Sequence, residues 1–424
     1  MTSSAFADDG SEAAFSHPQF RRYLSARLTA TVAAQMQGVA VGWQVYEITG
    51  RLLDLGLIGL AQFAPFFVLV LPAGQAADRY ERKRTIVSCY AVQCACACAL
   101  LLFSLAPRPS VWPVFAVLAL QGAARAFIMP AQQAILMNIV PLRLFGQAVA
   151  INASTFHVAV ILGPTLGGLL YAQGPRVVYA LVALLLVLAM SLMLGVRVTP
   201  HARSTEPVTL SSLLEGLRFV RSQPIVLGAM SLDLFAVLLG GAVGLLPAYA
   251  RDVLHTDSAG LGLLRTAPGV GAASMSILLA FAPIKRKVGL WMFGGVAAFG
   301  VATLCLGLTE SLTVAFIALF LTGLGDMLSV YVRHVLVQFE TPDSIRGRVS
   351  AVNSVFISAS NELGAFESGL TAAWFGVVPA VILGGVATLM VALAWMFLFP
   401  SLTRLDRFPA ARDLEKSSAK NAGE

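Results

Sequence analysis

The sequence predicts an all-α integral membrane protein with twelve membrane-spanning helices, arranged as two parallel, pseudo-symmetric bundles of six. Three observations lead there: a composition that water could not accommodate, twelve apolar stretches of spanning length, and an internal repeat that relates the two halves. Of 424 residues, 57% are hydrophobic and only 12% are charged, against about 25% charged in soluble domains. A water-soluble fold of this length has no interior large enough for that much apolar surface, so lipid has to be the solvent.

A spanning helix needs about 20 apolar residues. Twelve stretches qualify: residues 28–45, 55–77, 85–106, 111–136, 145–171 and 177–196, then 225–249, 260–283, 288–308, 312–337, 349–375 and 379–399. Lipid leaves no partner for an open sheet edge, so each is predicted as a helix. The implied organisation is a tail (1–21), a first bundle (22–196), a linker (197–224), a second bundle (225–400) and a closing tail (401–424).

The net charge of +7 does not point to nucleic acid, because the basic residues fall in short breaks between apolar runs. Alternate breaks carry Arg79, Arg82, Lys83 and Arg84, then Arg143, then Arg197, Arg203, Arg218 and Arg221, then Lys285, Arg286 and Lys287, then Arg346 and Arg348. The other side carries only Arg51, Arg108, Arg176 and Arg251. Both termini share the basic side, so both are expected in the cytoplasm. The first 19 residues lack a basic-then-apolar pattern, so no cleaved signal peptide is expected. A bacterial-type inner membrane is the expected location. In the linker, Leu210, Leu213, Leu214, Leu217 and Val220 have amphipathic helical spacing, and Ser212 with Glu215 is placed as a capping box. This predicts a helix on the cytoplasmic membrane surface.

The two halves match at a constant offset. At 201 residues, Gly122 pairs with Gly323, Pro141 with Pro342, Asn152 with Asn353, Gly163 with Gly364 and Gly168 with Gly369. At 203, Ala64-Pro65 meets Ala267-Pro268, and Arg82 meets Lys285. Prolines, asparagines and glycines rarely hold register by chance. Two parallel six-helix halves with a site at midplane between them recur among transporters that work by alternating access.

Two motifs stand out. After the second span comes Gly74-Gln-Ala-Ala-Asp78-Arg79-Tyr-Glu81-Arg82-Lys83-Arg84. Its glycine allows close helix approach, and its acid and basic cluster can exchange partners as two halves rock. The fifth span holds Gly163-Pro164-Thr-Leu-Gly167-Gly168, in which proline bends the helix and glycines permit tight packing. The first motif resembles the loop signature of the major facilitator superfamily, G-x-x-x-D-R-x-G-R-[KR]. Gly74, Asp78, Arg79, Arg82 and Lys83 fit it; Glu81 departs from it, where the pattern has glycine. The second resembles the helix-five motif associated with that superfamily's exporters, or antiporters, although glycine packing alone also accounts for it. Trp43-Gln-Val-Tyr46-Glu-Ile-Thr-Gly50, Ala250-Arg251-Asp252-Val-Leu254, Gly325-Asp326 and Arg346-Gly347-Arg348-Val-Ser350-Ala351-Val-Asn353 look like the branch that includes enterobactin (siderophore) exporters. The resemblance implies a monomeric secondary transporter without cofactor, driven by protons and exporting a siderophore-like metabolite or drug. An importer of the same fold, or a membrane sensor or assembly partner without flux, stays open.

A charge at the centre of a spanning helix is costly, so each one calls for a reason. Arg125, Asp233, Arg265, Asp326, Glu362 and Glu367 lie in the fourth, seventh, eighth, tenth and eleventh stretches, which the resemblance places among those around a central cavity. Arg125 and Asp326 are repeat equivalents of opposite charge, and are expected to face the cavity from opposite halves, pairing directly or holding opposite ends of a substrate. Asp233 and Asp326 are the candidate proton carriers, since a carboxylate out of water can exchange a proton near neutral pH. His157, Gln35, Gln37 and Gln44 either reach substrate or join helices; Trp112, Trp291, Trp374 and Trp395 suit interface anchors. Cys89, Cys94, Cys96, Cys98 and Cys305 come with no histidine or carboxylate, so packing is expected and no metal. No nucleophile–base pair and no phosphate-binding G-x-x-x-x-G-K-[ST] loop is present, so neither an enzyme nor a self-contained ATP-driven pump is expected.

Overall fold

A computed structural model describes residues 14–106, 110–198, 210–342 and 345–408. Among them every regular element is helical. The first six long helices are Pro18–Thr49, Leu52–Arg79, Arg82–Phe103, Trp112–Ile139, Phe145–Tyr171 and Pro175–Leu194. The linker helix is Leu210–Ser222, and the later long helices are Pro224–Gly240, Ser258–Phe281, Val288–Gly307, Leu312–Glu340, Arg346–Phe375 and Val377–Leu398. They are numbered below as the first to twelfth spans.

Ten of the twelve are long and apolar enough to cross a membrane, the seventh when counted through to Val253. The first and eleventh fall short because they carry the most polar side chains, among them Gln35, Gln37 and Gln44, and Asn361, Glu362 and Glu367. Both are nonetheless enclosed by other spans: the first packs on the fifth and sixth, the eleventh on the second and seventh. The first span starts ten residues before its apolar stretch, with Pro18 in its opening turn. Proline's fixed φ suits that position, and the charged residues up to Arg27 continue the helix without being apolar.

The seventh span is not one regular helix. After Gly240 it runs through a 3-10 turn (Ala242–Leu245), a short helix (Leu246–Ala248) and a π turn (Tyr249–Val253). Pro247 removes one backbone donor there. Ser368 of the eleventh span donates its hydroxyl to the Gly241 carbonyl at 3.1 Å, which satisfies an acceptor that the break sets free.

Each half repeats the same close approach. A Cβ on Gly122 of the fourth span would strike the Gln62 carbonyl of the second, and one on Gly323 of the tenth would strike the Pro268 carbonyl of the eighth. Two seams join the halves, second span against eleventh and fifth against eighth. A Cβ on Gly56 would stand 3.1 Å from the Gly369 Cα, and one on Gly168 would stand 2.7 Å from the Gly262 Cα. Both contacts lie at the end of the bundle away from the termini. There, Val39 of the first half is buried with Leu245, Leu246, Tyr249 and Leu261 of the second. Tyr46 donates to Asp252 across the same seam, and the Arg251 guanidinium lies 5.9 Å over the Tyr46 ring. At the termini end, a Cβ on Gly146 or Gly347 would meet no other part of the described residues within 4 Å, and Val149, Phe156 and Val158 are exposed. The halves are closed at one end and parted at the other.

The linker helix docks on the start of the eleventh span. Glu215 pairs with Arg348 at 2.8 Å, so its carboxylate serves this inter-element contact, while the side chains of Leu210, Leu213 and Ser212 lie outside the described residues, as does Arg203. Val220 is buried, and Leu214 and Leu217 are exposed.

Candidate substrate cavity

Between the halves lies a cavity of about 730 Å³ lined by both, a size that suits a compact organic molecule. Among its polar side chains the first half contributes mainly amides, Gln35, Gln37, Gln62, Gln93, Gln121 and Gln132, with one cation, Arg125. The second half contributes charge: Asp233, Arg265, Asp326, Arg333 and Glu362.

These charges form three groups. Arg125 of the fourth span donates to Glu362 of the eleventh at 2.6 Å, an ion pair that joins the halves. Its guanidinium also stands 5.8 Å over the Phe66 ring. Asp233 of the seventh span and Arg333 of the tenth pair at 2.6 Å, both buried. Asp326 lines the same cavity, within electrostatic reach of that pair. Arg265 forms no hydrogen bond or ion pair among the described residues, and its Nε is enclosed without a partner.

Of the residues singled out from sequence, Arg125, Asp233, Arg265, Asp326 and Glu362 thus meet around one cavity. Arg125 and Asp326 do not pair with each other; Glu362, on the span that crosses over the second, takes Arg125 instead. Glu367 stands apart from the lining and accepts from Thr371 one turn on, at 2.8 Å. His157 is also outside the lining, with its ring beside Phe156. Gln44 accepts from Tyr179 at 2.6 Å, whereas Gln35 and Gln37 reach the cavity. Trp112, Trp291 and Trp374 are exposed; Trp395 donates to Ser231 at 2.9 Å. Sequence reasoning missed Arg333. The signal was available: it lies seven residues after Asp326, two helical turns along the same face.

The two motifs flank the cavity. Arg82 donates to the Ala134 carbonyl at 3.0 Å and to the Asn138 side chain, fixing the third span to the fourth. Lys83 donates to the Leu194 carbonyl at 2.8 Å. Glu81 pairs with Arg84 at 2.7 Å, and its φ of −65° is a conformation that needs no glycine. Gly74 lies within the second span; the side chains of Asp78 and Arg79 lie outside the described residues. In the fifth span, a Cβ on Gly163 would meet Gln35, one on Gly167 would stand 2.8 Å from the Met36 carbonyl, and Gly168 faces Gly262. The Pro164 carbonyl would lie 2.6 Å from a Cβ on Gly262. The motif therefore packs the fifth span on the first within one half and on the eighth across the halves.

Exchange of the cross-half pair gives a direct check. Arg125→Glu and Glu362→Arg, each alone, place like charges together and are expected to reduce transport at least tenfold. The double exchange is expected to recover half or more of it, measured in cells at matched expression. Failure of the exchange to recover any transport, with both proteins folded, would count against the pair.

Two six-helix halves, parted at one end around a cavity that both line, define a secondary transporter of the alternating-access kind. A family profile for the Major Facilitator Superfamily matches residues 23–365; the chain belongs to that superfamily, and is a multi-pass membrane transporter and no enzyme. It is 27% identical over 398 residues to enterobactin exporter EntS of Citrobacter koseri, covering 94% of this chain and 95% of that one. It is 26% identical over 394 residues to enterobactin exporter EntS of Escherichia coli O81, covering 93% and 94%. Among solved structures, a bacterial homolog of the human lysosomal transporter Spinster, inward-facing and unoccupied, superposes with a TM-score of 0.73 at 17% identity, covering 94% of this chain and 99% of that one. A D-xylose-proton symporter gives 0.70 at 13% identity, covering 90% and 97%. These structures share the fold.

Proposed function

We propose that this protein is a proton-coupled exporter of a small organic compound, a siderophore-like metabolite or a drug, acting as a monomer in the bacterial inner membrane. The observation that carries it is the cavity itself: bounded by both halves, with glutamines from one and charged side chains from the other, among them the buried Asp233–Arg333 pair and Asp326. The surplus negative charge of Asp326 and Asp233 is what a proton neutralises. Protonation then changes the attraction to Arg333, and with it the balance between the two arrangements of the halves. The Lys and Arg distribution puts the termini in the cytoplasm, so the parted end faces inward and the state described is the one in which an exporter loads its cargo. The likeness to enterobactin exporters over nearly the whole chain supports the direction and the chemical class.

The test is a comparison of culture media by untargeted mass spectrometry, with and without iron limitation. The strains are a deletion strain, its complement and an Asp326→Asn complement. A compound should vanish from the medium of the deletion strain, accumulate in its cells and return with the intact gene. Asp326→Asn should lower its export at least tenfold. Media that cannot be told apart would remove the export reading; full export by both Asp326→Asn and Asp233→Asn would remove the proton assignment.

A further inference from the structure

The cavity contains one guanidinium that no carboxylate satisfies. Arg125 has Glu362 and Arg333 has Asp233, but Arg265 has neither a hydrogen bond nor an ion pair among the described residues, and its Nε is buried and orphaned. A cation held within a membrane bundle normally finds a carboxylate or carbonyl partner. The first span crosses it from the other half with two glycines facing it: a Cβ on Gly38 would stand 3.5 Å from the Arg265 Nη1, and one on Gly42 3.8 Å from Nη2. Next to Gly38 is Gln37, which is buried, also lines the cavity, and has an orphaned Nε2.

Arg265 and Gln37, from opposite halves, thus line one cavity, each with a buried nitrogen that has no partner among the described residues. Arg265 lies seven residues into the Ser258–Phe281 helix, about 10 Å from its start at 1.5 Å per residue, so this corner is at the closed end of the cavity. At the 203-residue repeat offset Arg265 takes the place of Gln62. The first half keeps a neutral amide where the second carries a fixed charge.

We infer that Arg265 and Gln37 form an oxyanion subsite that takes a carboxylate group of the cargo, so that the transported molecule is an organic acid. This rests on the transport reading of the cavity. The planar guanidinium matches a carboxylate through two parallel N–H donors, and the Gln37 amide adds a third. The remaining glutamines then meet the neutral polar groups of the same molecule. Because the two subsite residues come from opposite halves, an acid bound there bridges the seam at its closed end.

The experiment uses the purified full-length chain in detergent and matched acid–amide pairs: benzoate with benzamide, salicylate with salicylamide, and 1-naphthoate with 1-naphthamide. Thermal unfolding is followed against ligand concentration. At least one acid should raise the unfolding temperature saturably while its amide does not. Arg265→Gln should weaken that acid tenfold or more, as expected for loss of a charged hydrogen-bond donor, and Gln37→Leu should weaken it several-fold. Should Arg265→Gln not fold, Arg265→Lys carries the test: it keeps the charge but loses the fork, and should still weaken binding. Acids no better than amides, or undiminished acid binding in the Arg265 variants, would overturn the subsite. If acids bind through Arg265 but the deletion strain's medium is unchanged, export fails and the subsite stands. If the medium changes but no acid depends on Arg265, export stands and the cargo is neutral or cationic at this end.

Discussion

Replacing Arg333 with methionine is expected to abolish transport and to destabilise the second bundle by about 3–5 kcal/mol, the range for breaking a buried ion pair by removing one partner. Arg333 is 4% exposed and its partner Asp233 only 7%. Without the guanidinium, Asp233 loses the ion pair that holds its charge within the bundle. The protein then loses the element whose attraction varies with proton binding. A second substitution separates stability from function. Asp233→Leu added to Arg333→Met removes the remaining partner, and an apolar pair in place of a buried ion pair is often neutral or stabilising. Thermal unfolding of the purified double variant should therefore return near the wild-type value, while transport stays absent. Wild-type stability in Arg333→Met alone would mean that the pair is not structural, and wild-type transport would mean that it is not part of the coupling.

The second large effect is expected at the closed end. In Gly168→Leu, the new Cβ falls 2.7 Å from the Gly262 Cα and closer still to the Ser258 carbonyl. These are backbone atoms, and no rotamer change moves them. Overpacking of this kind costs about 1–3 kcal/mol. Set against an equilibrium between two arrangements of the halves, that is a shift of about 5–150-fold away from the arrangement closed at this end. Transport should fall below about a tenth at unchanged expression, since the cycle needs both arrangements. A reporter makes the shift visible. With the five native cysteines replaced, Ala250→Cys, buried at the seam, should react with a membrane-impermeant maleimide at least tenfold faster when Gly168→Leu is present. Unchanged labelling and unchanged transport would show that closure of this end does not depend on the Gly168–Gly262 contact.

Much of the site was legible in the sequence because membrane depth makes charge conspicuous. Arg125, Asp233, Arg265, Asp326 and Glu362 each interrupt an apolar run, and all five line one cavity. Their pairing was not legible. The repeat placed Arg125 opposite Asp326, but a repeat relates positions within halves and does not say which side chains meet across them. Glu362 reaches Arg125 because Gly59 lets the second span lie against the backbone at Glu362, which sequence spacing does not record. Arg333 was readable from its two-turn separation from Asp326 and was overlooked near the end of a long apolar stretch. The glutamine lining was hidden for another reason: Gln62, Gln93, Gln121 and Gln132 sit on three runs whose overall apolar character masks them.

By itself, the sequence determined the solvent, the helix count and the two-fold repeat, since these follow from local composition and period, which bilayer thickness and backbone hydrogen bonding translate directly into spans. It also located the glycines of the fifth span. Only the tertiary structure decided what those glycines touch, where the seventh span breaks, and which charges are satisfied. Each of these depends on distances between residues far apart in the chain. Arg265 illustrates the division: its presence in a membrane helix is a property of the sequence, but that no partner meets it among the described residues emerges only once the first span, with Gly38 and Gly42 facing it, has been laid across the cavity.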